Sequence, residues 1–167
     1  MPGATGTSGT PATPPSCQMN QLSVTEGHGG AASGLEVVPL LFRNTGTTTC
    51  RLQGYPELAA ADSSGKQIFS ARQTPRGPAG GLAAGDSTPP AVDLKPGQTA
   101  SALWEWEAPA TSKNLSCAAI GSVRQVQISL PASPGQTTLS WNISGSCSDD
   151  LQVNPFVPGT TGRQGGN

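Results

Sequence analysis

Short runs of alternating hydrophobic and polar residues dominate the chain, and no segment sustains the spacing of an amphipathic helix. The alternation is clearest in residues 99–107, where Trp104 and Trp106 fall on one face. Glu105 and Glu107 fall on the other face, which predicts a strand with one buried and one solvated side. Eight or nine strands are predicted in all, at residues 18–25, 35–43, 50–52 continued at 57–61, 66–70, 91–94, 99–107, 122–130, 136–144 and 151–156.

Residues rich in glycine, proline and asparagine separate these strands. Residues 62–65 and Lys95-Pro96-Gly97 have the composition of tight turns, with glycine where the backbone needs a positive φ. Residues 35–43 are apolar on both faces, as expected for a strand at the centre of the fold. Many short strands joined by such turns, without helices, predict an all-β fold, namely an antiparallel β-sandwich of about eight strands.

Three segments lack the large apolar side chains that a packed core needs. We expect a disordered Thr/Pro/Gly-rich stalk at residues 1–16 and a disordered tail at residues 158–167. This leaves residues 17–157 as one β-sandwich domain. Inside it, residues 71–90 contain Leu82 as their one large apolar residue, which predicts a long mobile loop.

Composition and charge exclude several functional classes. Charged residues make up 11% of the 167 residues and the formal net charge is −1. The chain therefore lacks the clustered lysine and arginine with which proteins bind nucleic acid. The longest apolar run, at residues 37–42, is too short to cross a bilayer. We expect no nucleic-acid partner, no membrane span within this sequence, and a monomer.

Four widely spaced cysteines, Cys17, Cys50, Cys117 and Cys147, form an even set without a C-x-x-C motif. The single histidine, His28, cannot complete a zinc site of the usual Cys/His spacing. The set therefore predicts two disulfides and an oxidising, extracytoplasmic compartment. The first residues do not form a signal peptide, so we expect the export signal or anchor to precede this sequence.

Four cysteines allow three connectivities, and strand register favours one of them. If residues 122–130 and 136–144 form a hairpin, opposed residues have numbers that add to about 266. This register brings Cys117 and Cys147 together at the open end of the hairpin, close enough for a bridge. The sequence therefore predicts a Cys117–Cys147 disulfide.

The other pair, Cys17 and Cys50, is placed less tightly. Pairing of residues 18–25 with residues 35–43 around position 30 puts Cys17 beside Arg43 and Asn44. Cys50 follows the next turn, at the same end of the sandwich, so a Cys17–Cys50 disulfide fits this arrangement.

Residues suited to acid–base chemistry are few. His28 lies between glycines, in a loop that offers neither packing nor an orienting partner, so we expect it to be solvent-exposed. Glu105 and Glu107 share a strand face that we expect to be solvated, since the tryptophans occupy the core side. The sequence therefore predicts no catalytic residue, no metal site, no cofactor and no enzymatic activity.

Three residues are candidates for a binding surface. Tyr55 lies between Gly54 and Pro56, where its ring can reach the surface and stack on a sugar, or tie down a corner of a sandwich. Arg72 and Arg76 give the loop at residues 71–90 a local positive charge, suited to an anionic polymer. These residues make an anionic polymer a candidate partner.

Residues 40–68, LLFRNTGTTTCRLQGYPELAAADSSGKQI, resemble a known family. They combine a strand ending in Asn-Thr-Gly with a cysteine, then Gly-Tyr-Pro, then a D-x-x-G turn. The run LKPGQTAS and the strand through Trp106, together with Cys17 and the strand after it, are also similar to that family. The family is the actinobacterial domain of unknown function numbered 4232, and the resemblance covers residues 17–157.

The resemblance implies an immunoglobulin-like sandwich, a secreted, lipoprotein-type or membrane-anchored location in the cell envelope, and the Cys17–Cys50 pairing. It implies no catalytic residues. We therefore expect a non-catalytic extracytoplasmic module with a binding or structural role, whose partner is a cell-wall polymer or another envelope protein. A carbohydrate- or peptidoglycan-binding module is the alternative, and a hydrolase is the weakest hypothesis.

Overall fold

The computed structural model describes residues 12–32, 35–107, 123–141 and 151–165. Within them the one helical element is a 3₁₀ turn at Met19–Gln21, so the predicted all-β class is confirmed. The strands are β1 (Leu22–Glu26), β2 (Gly30–Ala32), β3 (Leu35–Asn44), β4 (Cys50–Leu52), β5 (Glu57–Ala61), β6 (Gln67–Ser70), β7 (Arg72–Gln73), β8 (Val92–Leu94), β9 (Thr99–Glu107), β10 (Gln125–Ser129), β11 (Thr137–Ser140), β12 (Gln152–Val153) and β13 (Val157–Pro158).

The strands form three sheets, and most pairs are antiparallel. The largest sheet has seven strands in the order β1-β3-β9-β12-β7, with β2 paired to β3 and β13 to β9. A four-stranded sheet has the order β11-β10-β5-β6, and β4 pairs with β8. The longest pairing joins β3 to β9, from Leu35 opposite Glu107 to Arg43 opposite Thr99. Only β12 and β7 pair in parallel among the described strands.

One hydrophobic core draws side chains from the seven-stranded and the four-stranded sheet. Trp104 of β9 is fully buried, and its ring centroid lies 5.0 Å from that of Trp141, which follows β11. Val126 and Ile128 of β10 are also fully buried in this cluster. The prediction that the tryptophan face of residues 99–107 points into the core is therefore confirmed.

Several local predictions are confirmed by register and turn geometry. In the β10–β11 hairpin, Gln125 lies opposite Ser140, within one position of the predicted register. Gly65 and Gly97 both have positive φ at the predicted turns. The predicted register of β1 on β3 is wrong by several residues: Asn44 lies opposite Leu22 and not beside Cys17.

The predicted disorder of residues 158–167 is wrong for the part that the structure describes. Residues 159–164, here called the latch, lie against β9: the amide of Gly159 donates to the carbonyl of Thr99 and that of Gly162 to the hydroxyl of Ser101. These bonds give the polar latch a fixed place without large apolar side chains, which is why composition did not reveal it.

The prediction of a long mobile loop at residues 71–90 is also wrong. The segment contains β7, and Leu82 is buried. Residues 75–82, here called the strap, cross the outer face of β9 and bond to the latch through the amide of Gly81 and the carbonyl of Gly162, at 3.0 Å. Backbone hydrogen bonds replace the apolar packing that the sequence lacks here.

The Cys17–Cys50 disulfide is present, as predicted, and both cysteines are buried. Residues 15–17 also run beside β4, because the amide of Cys17 donates to the carbonyl of Arg51 and the amide of Arg51 donates to that of Pro15. The disulfide thus fixes the start of the domain to β4. No helix in the described residues has the length and apolar composition needed to cross a membrane.

Cys117 and Cys147 lie outside the described residues, so their pairing stays a prediction. The confirmed register of the β10–β11 hairpin supports it, since in the sequence Cys117 precedes β10 by about as many residues as Cys147 follows β11. We expect non-reducing peptide mapping of oxidatively folded protein to find only the 17–50 and 117–147 links. A 17–147 link or free thiols would contradict the pairing.

Candidate functional site

The strand that pairs with one edge of β3 changes at Pro39, in the middle of β3. Proline has no N–H, so it cannot donate to a neighbouring strand. The carbonyl of Pro39 accepts a hydrogen bond from the amide of Gly27 at 2.7 Å, but no bond can return. The neighbour of β3 therefore changes from β1, which ends at Glu26, to β2, which begins at Gly30, and the chain between them loops outward.

A groove of about 510 Å³ lies beside this loop, and we call it the amphipathic groove. Its floor is apolar: Pro39 of β3 lies directly opposite Leu103 of β9. The rest of its wall is formed by glycine, histidine, threonine and arginine residues. The described residues that line it are Gly27, His28, Val37, Pro39, Leu41, Leu103, Thr160, Thr161 and Arg163.

The latch forms one wall of the amphipathic groove and is held by a close backbone contact. Gly162 has φ of +69°, and a Cβ at this position would come within 3.0 Å of the backbone of Leu103. Glycine is therefore required here both by conformation and by space. The amide of Gly162 donates to the buried Ser101 hydroxyl at 2.8 Å, which sets the height of the wall above the sheet.

Glu105 lies under the strap and is 0% exposed, so the prediction that it lies on a solvated face is wrong. Its Oε2 accepts the amide of Ala79 at 3.1 Å, whereas Oε1 has no partner in the described part of the chain. Gly77 of the strap passes so close to this carboxyl that there is no room for a Cβ. Burial raises the pKa of Glu105, and Ala79, Arg163 and Asn154 lower it by a smaller amount.

The raised pKa of Glu105 predicts that the fold becomes less stable as pH rises. The folded state binds the Glu105 proton more tightly than the unfolded state does, so stability is highest below the ordinary pKa of glutamate. It falls as pH rises through the folded pKa. We expect Glu105→Gln to remove this fall and to raise the midpoint of thermal unfolding at pH 7, measured by circular dichroism between pH 4 and pH 8.

Glu26→Gln is the matched control for this experiment, since Glu26 is exposed at the end of β1. We expect it to leave the pH profile close to that of the wild type. A Glu105→Gln protein that is less stable than the wild type at pH 7 would show that the buried carboxyl is ionised and held by its neighbours.

A second groove, of about 290 Å³, lies on the four-stranded sheet, and we call it the glutamine groove. Gln127 is 8% exposed; its Nε2 donates to the carbonyl of Gly65 at 2.9 Å and its Oε1 accepts from Gln67 at 3.0 Å. Ala59 lies opposite Gln127 and leaves space above the sheet. The lining residues are Glu57, Leu58, Ala59, Gln67, Ser70, Ala71, Gln73, Gln127, Ser129 and Gln136.

Asn44 connects the elements around the disulfide. It is 0% exposed, and its Nδ2 donates to the carbonyls of Thr48 at 2.8 Å and Leu94 at 2.9 Å. Its Oδ1 accepts the amide of Gly46, and its backbone carbonyl accepts the amide of Gly97 at 2.7 Å. One asparagine therefore holds together the Asn-Thr-Gly turn, β8 and the Lys95-Pro96-Gly97 turn.

Residues 17–157, most of the chain, match the domain of unknown function DUF4232. The chain belongs to this family. The expected membership is thus confirmed over the predicted range, and Asn44 and the first disulfide lie inside the matched region. No curated protein and no solved structure is detectably similar to the chain. The latch lies beyond the matched DUF4232 region.

The residues predicted for a binding surface lie on separate elements of the DUF4232 domain. Tyr55 is half-buried in the turn before β5, and this burial raises the pKa of its phenol. Arg72 is exposed on β7. Arg76 donates to the carbonyls of Leu82, Ala83 and Asp86, so its guanidinium organises the chain that follows the strap.

His28 is exposed, and the structure places it in the wall of the amphipathic groove. Sequence reasoning missed this groove because its walls come from the latch and from the outward loop at residues 27–29. The available signal was Pro39 inside an otherwise apolar strand, which marks a change of strand pairing.

Proposed function

We propose that this DUF4232 domain is a non-catalytic binding or structural module, built as an immunoglobulin-like β-sandwich and displayed outside the cytoplasmic membrane in an actinobacterial cell envelope. The observation that carries the proposal is the buried Cys17–Cys50 disulfide. Disulfides persist in oxidising compartments and are rare in the cytosol. The shared core of the seven-stranded and four-stranded sheets supports the sandwich.

The positions of the acid–base residues support a non-catalytic role. Glu105 lies beneath the strap, closed off from solvent and from any substrate. His28 is exposed and glycine-flanked, so no neighbouring residue in the chain sequence holds its ring in one orientation. A general acid or base needs both access to substrate and a fixed position. Glu105 has a fixed position without access, and His28 has access without a fixed position.

Thiol trapping in intact cells tests the proposed location. The full-length protein is expressed in an actinobacterial host, the cells are quenched in acid, and free thiols are labelled with a maleimide. We expect the cysteines to be unlabelled without reductant, and we expect protease added to intact, wall-digested cells to degrade the protein. Labelled cysteines together with complete protection from protease would place the domain in the cytosol and overturn the proposal.

A carbohydrate- or peptidoglycan-binding role is the second candidate, and the glutamine groove favours it. Amide groups both donate and accept hydrogen bonds, as do sugar hydroxyls. Among the described residues that line the groove, Glu57 is the one with a charged side chain. Co-sedimentation with purified cell walls tests this role. We expect Gln73→Ala with Gln136→Ala to weaken sedimentation and Gln53→Ala, outside the groove, to leave it unchanged. Equal sedimentation of both variants would exclude the groove.

A further inference from the structure

We propose that the amphipathic groove binds a single-chain anionic lipid of the fatty-acid type. The acyl chain lies along the half-buried side chains of Val37 and Leu41, and the carboxylate lies at Arg163. This proposal names a ligand for the module proposed above. It is tested with purified protein, so it can fail without bearing on where the domain resides.

The floor of the groove is apolar and, in the part of the chain that the structure describes, partly exposed. Val37 and Leu41 are half-buried on β3, and each points to the same face as Pro39 because side chains alternate along a strand. Pro39 and Leu103 of β9 lie at the bottom of the groove and are themselves buried. The volume of about 510 Å³ lies within the range of small-molecule sites, which are mostly apolar with a few polar groups.

Both walls of the groove are fixed before any ligand binds. The outward loop is attached to β3 through the bond from the amide of Gly27 to Pro39. The latch is attached to β9 through Gly162 and Ser101, and to the strap through the amide of Gln164, which donates to the carbonyl of Gly81 at 2.8 Å. A preformed site loses little conformational entropy when it binds a flexible chain.

The rim of the groove carries the charge that selects the head group. The side chain of Arg163 is exposed and has no hydrogen-bonded partner among the described residues. Glu105, which interacts electrostatically with Arg163, is buried beneath the strap and does not line the groove. None of the described residues that line the groove is acidic, and His28 contributes a polar ring. A guanidinium at the edge of an apolar floor suits a carboxylate on a hydrocarbon chain.

A protein partner fits this groove less well. The floor consists of four apolar side chains, whereas a stable interface uses roughly 20–30 residues on each side. An extended peptide would need an unpaired strand edge, but β3 is paired with β9 on one side and with β1 and β2 on the other. A single hydrocarbon chain needs neither a large contact area nor an unpaired strand edge, so it fits this groove better than a protein does.

Titration with laurate, below its micelle-forming concentration, tests the proposal by calorimetry and by ¹H–¹⁵N spectra of the isotope-labelled protein. We expect saturable binding with one ligand per chain, and amide shifts concentrated at Gly27, His28, Thr160 and Thr161. Dodecanol, which has the same chain without the charge, is expected to bind more weakly.

Two variants separate the head-group contact from the floor. We expect Arg163→Gln to weaken laurate binding roughly fivefold, as for the loss of one exposed charge contact. We expect Leu41→Gln to weaken laurate and dodecanol alike, by about tenfold, since it removes apolar contact area. Arg43→Gln is the control, because Arg43 is an exposed arginine of β3 outside the lining. Melting curves confirm that each variant is folded.

Three results would overturn the proposal. One is the absence of laurate binding to the folded wild type, and another is binding with shifts outside the groove. The third is concentration-dependent dimerisation that shifts these same amides without ligand, which would assign the groove to a second copy of the chain.

Discussion

Replacing Cys17 and Cys50 with alanine is expected to lower the free energy of unfolding by about 4 kcal/mol in the chain-entropy description of a cross-link. The two cysteines are 33 residues apart, so the bridge restricts a large loop of the unfolded chain. For a domain of this size, the midpoint of thermal unfolding should fall by about 8–16 °C. Calorimetry of the double variant beside the wild type measures both quantities.

A comparison with the reduced wild type separates the cross-link from the loss of two buried side chains. Both sulfur-bearing residues are buried, so alanine also removes core contacts. When both proteins are fully reduced, the predicted Cys117–Cys147 bridge is open in each. We therefore expect the two reduced proteins to differ only by the side-chain loss, a small part of the stability difference between their oxidised forms. Ser16→Ala, beside the bridge, should change little. An unchanged midpoint in the double alanine variant would show that backbone pairing of residues 15–17 with β4 is sufficient.

The strands that alternation and turn chemistry define could be predicted from sequence. Residues 35–43 and 99–107 were predicted nearly to their ends, because both combine a continuous apolar face with turn residues at each boundary. The β10–β11 register followed from the length of its turn. In each case the information that determines the structure lies within neighbouring residues.

The strap and the latch could not be predicted in this way. Their sequences are rich in glycine, proline and threonine, which is also the composition of disordered segments. What holds them is a set of long-range backbone bonds, such as that from Gly81 to Gly162, and contacts with Glu105 and Ser101. A sequence pattern does not show which distant carbonyl an amide will meet.

The surroundings of the candidate site residues could not be predicted from the sequence either. His28, Glu105 and the arginines were considered from their chemistry alone, whereas their environments depend on which segments cover them. Coverage by the strap buries Glu105, and coverage by the latch creates the wall that includes Arg163. The amphipathic groove is therefore a property of tertiary packing, and only Pro39 marks it in the sequence.

Asn44→Ala is the second substitution for which we expect a large effect, a loss of about 2–4 kcal/mol in the free energy of unfolding. The substitution removes three side-chain hydrogen bonds and leaves the carbonyl of Leu94 without its donor in a buried position. Urea unfolding followed by tryptophan fluorescence measures the loss, since Trp104 and Trp106 are buried in the core.

Two further variants show which bonds of Asn44 matter. Asn44→Asp keeps the oxygen that accepts the amide of Gly46 but loses both donated bonds and buries a charge, so it should be at least as destabilised as Asn44→Ala. Thr45→Ala is the control, because the Thr45 hydroxyl donates to Gln21 in an exposed position, and we expect its loss to cost less than about 1 kcal/mol.

Equal, small losses for all three variants would mean that the backbone bonds of Asn44 to Gln98 and Gly97 hold the turns without the side chain. A large loss confined to the two Asn44 variants would instead assign the Asn-Thr-Gly motif of this DUF4232 chain to the joining of β3, β8 and their turns beside the disulfide.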